Sequence, residues 1–148
     1  ANLVVTVSES VTINGALRGS SNSLTVTDIT DTFERVITCP QSATTTIATF
    51  SSNVYDSAGA LDKENVRYIR VSNLSATHDI EIGVAGTASN YSMLIPAGNS
   101  HLIARADDVM LAEADAVPTY GSLADIAKLE VRPTATTDVD VEIFVASI

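Results

Sequence analysis

VRYIRVSNLSATHDIEIGV, residues Val66 to Val84, is the stretch that decides the fold class. Val66, Tyr68 and Arg70 interleave with Ile69 and Val71, and after a polar connector Ile80, Ile82 and Val84 alternate with Asp79, Glu81 and Gly83. Alternation at period 2 puts one set of side chains on each face of a pleated strand. Two such runs with a polar joint predict an antiparallel hairpin with one wet face.

The same period recurs outward from this stretch. In the last strand, Asp138, Asp140 and Glu142 alternate with Val139, Val141, Ile143 and Val145. At the other end, residues 3–8 (LVVTVS) and 10–13 (SVTI) precede Asn14-Gly15, the dipeptide suited to a type I′ turn because both residues tolerate positive φ. Leu17 resumes the return strand, and Arg18 to Ser23 reads as a loop. Further runs are Leu24 to Thr27, Phe33 to Cys39 closed by Pro40, Ala43 to Ser51, Ser92 to Ile95 before Pro96-Ala97-Gly98, His101 to Ala104, and Ile126 to Arg132. Helical turns are expected around Leu61 to Glu64 and, from a capping-box-like Ser122-Leu-Ala-Asp125, before Ile126. Residues 106–117 (ADDVMLAEADAV) fit either a strand plus loop or a short helix. About nine to eleven short strands separated by turn signals predict an all-β fold, an antiparallel β-sandwich of jelly-roll type, in a single domain over residues 1–148.

Lys and Arg number 8 against 18 Asp and Glu, a net charge of −10. Such a surface opposes nucleic acid and anionic lipid, so neither a nucleic acid nor a membrane is expected as a partner. The opening ANLVVTVSE has no basic segment followed by a long apolar run, and Ala1 is what removal of an initiator methionine leaves. Synthesis in a cytoplasm is the expectation. Cys39, the single cysteine, can form no intramolecular disulfide and reads as a small apolar side chain at a strand end.

Candidate chemistry is sparse. His78 and His101 are the two histidines, and no HxH, HExxH or CxxC spacing accompanies them. Asp28/Asp31, Asp107/Asp108 and Glu113/Asp115 supply oxygen ligands without a calcium-loop pattern. GxSxG, GxxxxGK[ST] and GxGxxG are missing as well. No catalytic, cofactor-binding or metal-binding residue is therefore assigned, no cofactor is implied, and a non-enzyme is expected. The interface candidates are Arg67 and Arg70, arginines on an otherwise apolar strand, together with Val141, Ile143, Val145 and Ile148 on a last strand expected to lie at a sheet edge.

The segments ANLVVTVSESVTINGALRGS, YIRVSNLSATHDIEIGV, IPAG and SLADIAKLEVRPTATTDVDVEIFVAS resemble small virion proteins of tailed bacteriophages, particularly marine ones. The resemblance spans nearly the whole chain through strand pattern and order. It implies a β-sandwich structural component of the particle, either a capsid decoration or cement protein or a fibre or knob module that binds a host receptor. The implied partners are the major capsid protein or other virion subunits and further copies of the chain, with the virion as its location.

Overall fold

The computed structural model describes residues 1–87, 89–111, 117, 120–121 and 123–148. Its organising strand is β15 (Val139–Ser147), where Val139, Val141, Ile143 and Val145 point inward and Asp140 and Glu142 outward. β15 lies between β5 (Asp31–Cys39) and β8 (Val66–Asn73), antiparallel to both, and β11 (Ser100–Ile103) adds to the far side of β8. The facing sheet runs β10 (Asn90–Ile95), β9 (Ile80–Gly86), β14 (Ile126–Pro133), β6 (Thr45–Ser51) and β7 (Leu61–Asp62), the last pair parallel. Ile69, Val71, Ile80, Ile82, Val84, Leu129 and Val131 meet the β15 row between the sheets, all fully buried. Apolar area removed from water at about 25 cal/mol per Å² is what holds the two sheets together.

The eight long strands β5, β6, β8, β9, β10, β11, β14 and β15 alternate between sheets except at the β9–β10 hairpin. Numbered one to eight, they give orders 1-8-3-6 and 2-7-4-5, the paired Greek keys of a jelly roll. The all-β sandwich expected from the sequence is thus present. Counting the two- and three-residue ladders, the described residues hold fifteen strands, more than the nine to eleven that longer apolar runs suggest.

Several local expectations are corrected. Val66 to Val84 is not a hairpin, because β8 and β9 belong to opposite sheets. Their apolar rows enter one core from two sides, which period 2 permits equally well. Asn73, 2% exposed, holds the crossing: its Nδ2 donates to the carbonyls of His78 (2.8 Å) and Ile95 (3.1 Å), and its Oδ1 accepts from the Ser75 N–H (3.0 Å). Leu61 and Asp62 form β7 in place of a helical turn, and the one short 3-10 turn described is Val54–Asp56. Leu123–Ala124 is strand β13, paired with β12 (Met110–Leu111), also in place of a helical turn. In the ambiguous 106–117 segment Met110 and Leu111 are thus strand, while residues 112–116, with Glu113 and Asp115, lie outside the described residues, as does Ser122.

The N-terminal segment forms one long ribbon. β1 (Leu3–Ser8) pairs with β4 (Ser21–Val26), and β2 (Val11–Ile13) with β3 (Ala16–Arg18). The pairing sums are constant from Leu3↔Val26 to Ile13↔Ala16, and the Glu9 N–H reaches Ser20 O at 2.9 Å between the two ladders. Asn14 (φ 50°) and Gly15 (φ 78°) make the expected two-residue tip. Arg18 to Ser23, read as a loop, is mostly strand and continues the ribbon around Gly19 (φ 101°), where a Cβ would stand 2.2 Å from the Glu9 carbonyl oxygen.

Candidate interaction surfaces

The outer face of the β11-β8-β15-β5 sheet carries a small aromatic and charged cluster. Register places Arg70 opposite Phe144 and Tyr68 opposite Ala146, so three side chains share one face. Tyr68 meets the Phe144 ring edge-on at 6.0 Å, and the Arg70 guanidinium lies 5.9 Å from the same ring. Arg70 also donates to Glu142 Oε1 at 2.5 Å and to Ser72 Oγ. Both Nη atoms are thus tied within the subunit, and the group stands beside the exposed Val36 and Leu102.

Arg67 is used differently. Its Nη1 donates to the carbonyls of Glu64 (2.7 Å) and Val66 (3.1 Å), bracing the turn before β8. Val141, Ile143 and Val145 are 0% exposed and leave the list of interface candidates. The physical reason is that β15 is an interior strand, hydrogen-bonded on both sides, so its apolar row belongs to the core. Ile148 remains partly exposed, with its N–H on Asn65 O at 3.0 Å.

A second surface is the margin formed by the edge strands β10 and β11. Tyr91, Met93, Leu94 and Leu102 stand in solvent there, Leu94 at 54% exposure. Tyr91 Oη and His101 Nε2 are 3.0 Å apart, with the rings edge-to-face. Burial pushes the phenol up and the imidazole below its ordinary 6.5, so this pair is uncharged near neutral pH. β10 contains no charged residue, which leaves its open edge unprotected. Of these two surfaces the sequence pointed only to Arg70, because an exposed alternating strand and a buried one share the same pattern.

Several polar side chains are engaged in contacts within the chain. Asp125 binds Lys63 Nζ and accepts the Asp108 N–H at 2.9 Å. The Lys63 hydrogen bond, then the Asp108 N–H, hold its carboxyl below the usual range, and the same bond raises Lys63. His78 Nδ1 lies 2.8 Å from Thr77 Oγ1 in an exposed turn. Cys39 is fully buried, and desolvation raises its thiol. Among the described residues no three His, Cys, Asp or Glu side chains converge on a point that could hold a metal ion. A concavity of about 400 Å³ is a trough on the outer face of the other sheet where Gly83 offers no side chain between Glu81, Ser92 and Glu130. Lys128 and Glu130 pair across its floor at 2.5 Å.

No protein-family model matches the chain, and no curated protein matches it either.

Proposed function

We propose that this chain is a structural component of a virus particle, a capsid decoration or cement protein that stabilises a shell through repeated protein contacts. The observation that carries the reading is the β10–β11 margin, where Tyr91, Met93, Leu94 and Leu102 face water along a strand edge free of charge. Proteins blunt exposed edges with Lys, Pro or bulges unless a neighbour covers them. A coat subunit laid against this margin buries those side chains, and many weak contacts on one shell add through avidity. The jelly-roll order and the resemblance to small phage virion proteins support the same reading.

Purified particles test it. The chain should be present in stoichiometric copies, and particles lacking it should lose heat resistance. Leu94→Lys should fold yet fail to bind such particles. Recovery from cell lysate alone, never from particles, ends this reading. A fibre or knob module is the second reading, favoured by Tyr55, 84% exposed in the loop after β6. Binding of the isolated protein to host cells distinguishes it from the first.

A further inference from the structure

The ribbon of residues 3–26 contributes nothing to the core: none of its side chains is buried, and six of its large apolar residues are exposed, among them Val4, Val7 and Leu24. A two-stranded ribbon alone in water is marginal at best, and each of its outer edges presents a row of unpaired N–H and C=O groups. Cover from outside the subunit is what such an element requires. β1 identifies the edge. Leu3–Ser8 contains no charge and no proline, and Leu3 to Thr6 in succession wall a groove of about 350 Å³. Opposite them stand Glu34, Tyr68, Arg70 and Phe144. This space therefore lies between an open strand edge and a face where Tyr68 and Phe144 stand beside Glu34 and Arg70.

We propose that this space takes β1 of a second copy, paired antiparallel about a twofold axis so that two ribbons merge into one four-stranded layer. Charge favours a like copy at this place. The ribbon carries Glu9 and Arg18, −1 + 1 = 0, so the whole net charge of −10 lies on the rest of the chain, and the ribbon is where two copies meet with least repulsion. Register follows from geometry. Residues opposite each other in an antiparallel pair share a face, and a twofold axis normal to the layer preserves faces, so partners must have the same parity. The register that matches the apolar side chains sets Val5 against Val5 of the second copy, and Leu3 against its Val7.

Area agrees with an exchange. Strands of about 11 residues at ~3.4 Å each, two abreast at ~4.8 Å, give roughly 350–400 Å² per ribbon face. In a reciprocal pair each copy gives one ribbon and receives one, about 800 Å² a side, which is the size of a standard stable interface; one-way docking on a foreign surface covers about half as much. The pairing stands whether or not the chain is part of a virus particle.

Sedimentation equilibrium of the full chain should give twice its 15.5 kDa mass. Val5→Lys and Val5→Glu should each sediment at the single-chain mass with an unchanged strand spectrum, and their mixture should return to the doubled mass as opposite charges meet at the axis. Val5→Cys provides a check that does not weaken the ribbon: mild oxidation should convert it to a covalent dimer, because Cα atoms opposed across an antiparallel pair lie within disulfide range. A single-chain mass for the natural sequence up to about 1 mM, where even a weak pair of that dissociation constant would show, overturns the proposal. So does a stable trimer, a doubled mass retained by both charge variants, or failure of Val5→Cys to cross-link.

Discussion

Ile143→Ala separates a core residue from an interface residue more sharply than any other single change. Ile143 is fully buried in the middle of β15, flanked by Arg35 in β5 and Val71 in β8. The substitution deletes three carbons, about 2.4 kcal/mol at ~0.8 kcal/mol each. The strands on both sides prevent full collapse, so a cavity term adds about 1 kcal/mol, for a total of about 3–4 kcal/mol. Against a total of roughly 5–15 kcal/mol the variant should still fold. With a urea slope of about 2 kcal/mol per M, the midpoint should fall by about 1.5–2 M. Tyrosine fluorescence and circular dichroism report the transition, since the chain has no tryptophan. Leu17→Ala on the ribbon, 71% exposed in the natural protein, is the companion at equal protein concentration and should change stability by no more than about 0.5 kcal/mol. Equal midpoint shifts for the two, or a shift below about 0.5 M for Ile143→Ala, refute the placement of β15 at the centre of its sheet.

Asn73→Leu removes the donor to Ile95 O and His78 O at a buried corner and should cost about 2–4 kcal/mol in urea unfolding; a cost under about 1 kcal/mol would show that the corner is held by other contacts. Because burial lowers the His101 imidazole below 6.5, the unfolded chain binds its proton first as pH falls. Stability should therefore drop as pH falls below 6.5 and level off under the native pKa, and His101→Gln should flatten that slope if the assignment is right. Asp125 acts in the same direction at lower pH: its lowered carboxyl contributes stability above the ordinary 3.8 that is lost as pH falls through the native pKa. Asp125→Asn should remove that part of the acid limb, and an unaltered limb would count against the Lys63 contact. Cys39 should react with a thiol reagent only as fast as the chain opens, so rapid labelling of the native protein would contradict its burial.

Membership of the core was legible from period 2: Ile80, Ile82 and Val84, and Val139, Val141, Ile143 and Val145, are inside. The Asn14-Gly15 turn was legible too, because its chemistry is local. Which sheet a strand joins was not, since β8 and β9 satisfy the same alternation as a hairpin or as facing strands, and the choice is made by pairing with β15 and β14 far along the chain. The interface assignment of Val141, Ile143 and Val145 failed for this reason. An inward row on an edge strand and one on a central strand read alike, and β15 proved central. Arg18 to Ser23 was misread because serine and glycine imply loops, whereas a constant register with β1 and β2 carries the strand through them.

One signal in the sequence supports the two proposed contacts. In a chain of net charge −10, the outward rows of three central sandwich strands are charged: Asp140 and Glu142 in β15, Lys128, Glu130 and Arg132 in β14, Glu81 in β9. β1, β4 and β10 carry no charge on either row, although most of their residues are exposed. Solvated strands gain nothing from Val4, Met93 or Leu94 in water, and an uncharged edge invites pairing with any strand that meets it. The β1 groove also holds Glu34 and Arg70, and Leu102 of the β10–β11 margin stands opposite Arg70, so the two uncharged strands β1 and β10 flank the charged row of β8 and β15. Covering β1 by a like copy leaves the β10–β11 margin free for a second kind of subunit, and a molecule with both contacts can join copies to each other and to a shell at once.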